Sequence, residues 1–139
     1  MAYHLERFKQ AQARDYNIAL AEIRAGRKRS HWIWYVFPQL KGLGRSGTAN
    51  FYGIEDMDEA EAYLADEELR ANLIEISQAL LELSTSDPVR VMGGIDAMKL
   101  RSSMTLFAEA SNSDPVFQKV LDKFYKGEPD ARTLELLGA

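Results

Sequence analysis

The sequence predicts an all-α fold: a single compact domain over residues 1–139, built from about seven short to medium helices. Three observations carry that reading. Apolar residues recur at spacings of three and four along most of the chain, Asp or Ser stands before most of these runs, and Gly or Pro punctuates their ends. Length and composition agree, because 139 residues with 46% hydrophobic and 27% charged side chains suffice for one sizeable core and are too few for two. No repeat, linker or low-complexity stretch divides the chain, and nothing in the pattern supports a parallel sheet.

Taken in order, Leu5, Phe8 and Ala11 begin a stripe that Ile18, Ala19 and Ile23 continue, which predicts helix over 3–25. A break is expected near Arg14, where Asp15 can cap a second stretch, and Gly26 is the stop. Ser30 is expected to cap a short turn through His31–Phe37 that Pro38 ends, and Gly42, Gly44 and Gly47 mark a loop. Ser46 caps a helix through Tyr52, with Gly53 at its end. Asp58 opens a helix through Leu64, and Asp66 caps a longer one carrying Leu69, Leu73, Ile76, Leu80 and Leu83. After the loop at 84–88, Gly93-Gly94 separates a brief turn from a helix capped by Asp96 and running to about Ala110. Asp114-Pro115 places an N-cap before a proline at the first helical position, Gly127 ends that helix, and Asp130 opens a last one through Leu137.

Several chemistries are excluded early. With no cysteine there is no disulfide framework, thiolate metal site or cysteine nucleophile. His4 and His31 lie far apart and lack metal-ligand spacing, so neither a metal nor a cofactor is implied. The longest apolar stretch, Trp32–Phe37, is far too short to span a bilayer, and the first residues lack the apolar region of a signal peptide. The expectation is a cytoplasmic protein without a membrane partner. The carboxylates of 55–61 and 66–68 occupy helix starts, where the helix dipole accounts for them.

Charge is unevenly placed. The net charge is −4, yet residues 24–45 carry Arg24, Arg27, Lys28, Arg29, Lys41 and Arg45 with no carboxylate, while residues 46–89 are strongly acidic. A basic block of this kind attracts anions. The acidic whole, with a pI near 5.2, argues against non-specific DNA binding, which needs an extended basic face.

Two stretches are chemically unusual. Ser30–Gln39 gathers His31, Trp32, Trp34, Tyr35 and Phe37 beside the basic block. Such rings serve either as core anchors or as a stacking pocket with Gln39, in which His31 is available as a proton donor or acceptor. Lys99–Phe107 sets Ser102, Ser103 and Thr105 among Lys99, Arg101, Leu100, Met104 and Phe107. Its hydroxyls either bond back to carbonyls four residues earlier or face a ligand. No S-x-x-K or G-x-S-x-G arrangement accompanies them. Gly42-Leu43-Gly44-Arg45-Ser46-Gly47 spells G-x-G-x-x-G, but no strand precedes it, which leaves at most a loop whose amides and Arg45 hold a phosphate.

Residues 27–40 and 42–46, with 59–64 and 96–107, make the chain similar to an uncharacterised family of compact, all-helical bacterial proteins often labelled "calpastatin". The resemblance covers essentially the whole chain and implies the all-α fold, with no activity attached. The label itself conflicts with the sequence, since calpain inhibitors of that name are long, disordered and proline-containing, whereas this chain has four Pro and strong apolar periodicity. A distant, fold-level likeness in size, helix content and a cationic, Met-bearing late helix is to the NADAR family, which is associated with ADP-ribose-type N-glycosides. It carries over no catalytic residue.

The leading expectation is a pocket for an anionic, nucleotide-like (ADP-ribose-type) small molecule where the two unusual stretches meet. Arg27, Arg29, Lys41, Arg45 and Lys99 would hold charge, Trp32 or Trp34 would stack, and Gln39, Ser46, Ser102 and Ser103 would hydrogen-bond. His31 is the candidate acid or base, with catalysis itself left open. Such a pocket requires His31, one tryptophan, Lys99 and at least one of Ser102, Ser103 or Arg45 to line one concavity; packing alone would bury both tryptophans and point Lys99 into solvent. The alternative function is a non-catalytic interaction module that uses the basic turn and the acidic helices. Oligomeric state is not legible.

Overall fold

A computed structural model describes residues 3–138, so the outermost residues of the expected domain, 1, 2 and 139, lie outside the described residues. Among the described residues the chain is all-helical, with nine helices: α1 (Glu6–Arg24), α2 (Ile33–Val36), α3 (Gly47–Tyr52), α4 (Met57–Ala65), α5 (Glu67–Leu81), α6 (Pro88–Met92), α7 (Gly94–Ala108), α8 (Pro115–Tyr125) and α9 (Ala131–Leu137). The two beyond the expected number are α2 and α6, of four and five residues, which the sequence reads as turns. None of the nine is long and apolar enough to cross a membrane.

Caps explain most boundaries. Ser46, Asp66, Asp114 and Asp130 each accept hydrogen bonds from first-turn amides, as their positions in the sequence predict. Four local expectations are corrected. Helix α1 runs unbroken through Arg14, because the Asp15 carboxylate accepts from the Tyr35 hydroxyl instead of capping an amide. Trp32, not Ser30, stands at the N-cap of α2, and the Ser30 hydroxyl donates to Glu22 at 2.6 Å. Asp56, not Asp58, caps α4 through the Glu59 amide at 2.9 Å. Gly93 precedes α7, while Asp96 lies in its first turn and pairs with Lys28.

A hydrophobic cluster built on Phe8, Ile23, Trp32, Phe37, Tyr63, Leu73, Phe107 and Phe117 holds the helices together. Helix α5 packs against both α1 and α8, and α7 lies along α8 with α6 and α9 at its sides. The irregular segment between α1 and α4 covers one side of this core. Its backbone closes through a parallel bridge, in which the Lys41 amide donates to Ile54 (2.8 Å) and the Ile54 amide donates to Gln39 (2.9 Å). Two glycines permit that closure: a Cβ on Gly53 would stand 2.7 Å from the Lys41 Cα, and one on Gly44 would stand 2.5 Å from the Ala49 Cβ. The glycine pattern of residues 42–47 therefore has a packing requirement at Gly44.

Polar pins on α1 fasten this segment. Arg7, almost buried, donates to the carbonyls of Phe51 (2.9 Å) and Gly53 (3.1 Å) and forms an ion pair with buried Glu59 at 3.0 Å. Gln12 donates to the Tyr35 carbonyl (2.8 Å) and to the Tyr63 hydroxyl (2.9 Å), and it accepts from Asn72 (3.0 Å). Removing one partner of a buried pair strands the other charge and the carbonyls it satisfied. Arg7→Met is expected to lower stability by about 3 kcal/mol in urea unfolding; a loss below about 1 kcal/mol would show that the pin is dispensable.

Candidate functional site

The basic turn after α1 is shaped by one carboxylate. Glu22 accepts from the Arg29 amide (2.7 Å), the Ser30 amide (2.9 Å), the Ser30 hydroxyl (2.6 Å) and the Trp32 indole N–H (2.9 Å). Partial burial works against its charged form, but these hydrogen bonds outweigh that effect and lower its pKa to about 2. The Lys28 amide donates to Val91 at 2.7 Å, which ties the turn to α6.

That anchoring sorts the three adjacent cations. Lys28 turns inward, its side chain 5% exposed, and pairs with Asp96 at 2.8 Å while lying 4.9 Å from the Trp32 ring centre. Arg27 and Arg29 project outward, and neither they nor Arg90 forms an ion pair among the described residues. Between the turn and α6 lies a groove of about 630 Å³. Arg27, Arg29 and Arg90 line it together with Lys28, whose ammonium is turned to Asp96, and no carboxylate lines it. Arg90 is absent from the sequence reading because α6 is too short to show periodicity. Its signal was the Asp87-Pro88 pair, the same opener that marks α8, with Asp87 accepting from the Val89 and Arg90 amides.

The second unusual stretch builds a different groove. Gln39, Leu43, Ile95, Met98, Lys99, Ser102, Asp130 and Arg132 surround about 290 Å³ beside α7. Lys99 lies 5.2 Å from the centre of the Trp34 ring and 3.8 Å from Asp96. The two stretches therefore meet, through Lys99 on Trp34 and through Asp96 held between Lys28 and Lys99. Ser102 and Thr105 bond back to the carbonyls of Met98 (3.1 Å) and Arg101 (2.8 Å). Ser103 is fully buried, and its hydroxyl and the Trp34 indole N–H have no hydrogen-bond partner among the described residues.

The remaining candidates are dispersed. His31 is exposed, its carbonyl accepts from Tyr35 at 3.2 Å, and it lines neither groove. Neither groove unites His31 with Lys99, as the expected single concavity requires; Lys28 and Lys99 line different grooves and both pair with Asp96. Trp32 is 1% exposed and belongs to the core. Lys41 pairs with Glu55 at 3.6 Å on the surface, Arg45 is exposed outside both grooves, and Ser46 is engaged as the α3 cap at 3.1 Å. Among the described residues no group of three or more His, Asp and Glu is placed to hold a metal ion.

A family model described as Protein of unknown function (DUF1810) matches residues 2–137. The crystal structure of the conserved hypothetical protein Rv1873 from Mycobacterium tuberculosis is 44% identical, with 97% of this chain and 96% of that one covered and a TM-score of 0.94. No curated protein matches the chain. These findings support the resemblance to an uncharacterised family and the all-helical fold; neither carries the "calpastatin" label or a likeness to the NADAR family.

The Glu22 anchor has a defined pH signature. Its pKa in the folded chain lies below the ordinary 4.5, so its contribution to stability is present above about pH 4.5 and fades as pH falls toward 2. In urea unfolding, the stability difference between the wild type and Glu22→Gln is expected to shrink steadily over that window. A difference that stays constant with pH would disprove the assignment.

Proposed function

The chain belongs to the family described as Protein of unknown function (DUF1810), and we propose that it binds a small phosphorylated, nucleotide-like anion in the arginine-lined groove between the basic turn and α6. One observation carries this reading: Arg27, Arg29 and Arg90, brought together from the basic turn and α6, line one concavity that contains no carboxylate. Guanidinium groups meet phosphate oxygens through paired N–H donors, so unpaired arginines facing a common space favour an anion over a neutral ligand. The groove's volume of about 630 Å³ falls within the range of small-molecule sites and accommodates more than a lone phosphate.

The recognition proposed is through phosphate rather than base stacking, because Lys28 covers Trp32 and Lys99 covers Trp34. The reading is of binding rather than turnover: arginines and an ion-paired lysine offer no general base at neutral pH, and His31 lies outside the groove. A second reading, a protein-interaction surface, draws on Ile95 and Met98, which are 74% and 71% exposed on α7 next to Lys99 and Arg132. An oligomeric state that changes with salt would favour it over small-ligand binding.

Calorimetric titration with inorganic phosphate, ADP and ADP-ribose tests the proposal. Binding of at least one is expected, with Arg27→Ala and Arg90→Ala each weakening it about tenfold and His31→Ala leaving it unchanged. Absence of binding by all three ligands, or equal affinity in the arginine variants, would overturn it.

A further inference from the structure

The arginine-lined groove continues past Arg90. A second groove of about 330 Å³ is bounded by Arg24, Ala25, Gly26, Leu83, Ser84, Thr85 and Arg90. Ala25, Gly26 and Arg90 line both grooves, so the two concavities adjoin along the turn that ends α1, with Arg90 as their common wall.

Resting on the reading above, we infer that the ligand is a diphosphate-type anion: one phosphate is held by Arg27 and Arg29 and the other by Arg24, with Arg90 placed between them. Arg24 has no ion-pair partner among the described residues, and it stands in the last turn of α1, where the helix dipole favours a cation. The carbonyls there already accept from backbone amides, Ala25 to Ala21 (3.0 Å), Gly26 to Ile23 (2.8 Å) and Arg27 to Glu22 (3.1 Å). Three carboxylates of the neighbouring segments are engaged elsewhere. Glu22 is saturated by four donors from the turn and Trp32, Asp87 accepts from the α6 amides, and Asp96 pairs with Lys28. Thr85 accepts from the Asp87 amide at 3.1 Å through its oxygen, which leaves its hydroxyl proton for an incoming anion.

Charge balance favours two phosphates over one. Arg24, Arg27, Arg29 and Arg90 line two adjoining grooves with no carboxylate in either lining, and like charges so gathered repel. A monophosphate, carrying about two negative charges, leaves half of them uncompensated. A terminal diphosphate carries more charge than a monophosphate and, long enough to reach past Arg90, compensates more of the set.

Calorimetry on the full chain with inorganic pyrophosphate and inorganic phosphate decides it, using the wild type, Arg24→Gln and a control, Lys119→Gln, which removes an equal charge from the exposed face of α8. Pyrophosphate is expected to bind the wild type at least about tenfold more tightly than phosphate. Arg24→Gln should weaken pyrophosphate about tenfold while changing phosphate less than about twofold, and Lys119→Gln should change neither. Equal affinity of the wild type for the two anions overturns the inference and leaves the groove reading standing. So does an equal loss of both in Arg24→Gln, or the same loss in Lys119→Gln. Failure of both anions to bind the wild type overturns this inference, and the groove reading with it when ADP and ADP-ribose also fail to bind.

Discussion

The carboxylate of Glu22 organises the part of this molecule in which its unusual chemistry is gathered. A turn containing Arg27, Lys28 and Arg29 is electrostatically averse to compactness, since three like charges in succession favour an extended, solvated path. Four donors converging on Glu22 reverse that preference and fix the turn's backbone against the last turns of α1. Once the backbone is fixed, side-chain direction follows: Lys28 enters the space above Trp32 to reach Asp96, and its two neighbours face outward. The groove, the seating of Trp32 and the approach of α6 through Val91 all follow from that one anchor.

The longer helices were legible because their signals are local. Asp66, Asp114 and Asp130 meet amides of their own first turns, and apolar spacing defines the buried faces of α1, α5 and α8. The departures share a cause, which is that a polar side chain able to cap its neighbour is drawn elsewhere by a partner distant in sequence. Ser30 and Asp15 bond across to Glu22 and Tyr35, and Asp96, in the first turn of α7, pairs with Lys28. Asp56 and Asp58 stand two positions apart with the same chemistry, and only the backbone register, invisible in composition, assigns the cap to Asp56. Helix α2 holds a single turn, and no periodicity can develop over four residues.

The candidate site was partly legible for related reasons. Clustering of cations marked the turn that lines the candidate groove, and unusual composition marked the Trp34 and Lys99 segments, which meet. Composition does not reveal inward or outward direction, which separates Lys28 from Arg27 and Arg29. Nor does it reveal that Arg90, more than sixty residues away, closes the groove. An aromatic cluster is equally compatible with core and surface, and here a buried N–H on Glu22 places Trp32 in the core while His31, one residue earlier, is left in solvent.

Arg7, Gln12 and Glu22 all project from α1, and each secures a different stretch of the irregular segment. Helix α1 is therefore a ruler, with fixed graduations along about 22 Å between its first and last pins. Each residue added to or removed from a helix turns everything beyond it by about 100°. A single insertion between Gln12 and Glu22 would thus rotate the Glu22 anchor away from the turn while Arg7 and Gln12 kept their partners. Length variation in this molecule belongs in its outer loops, and the 19-residue span of α1 is the dimension least free to change.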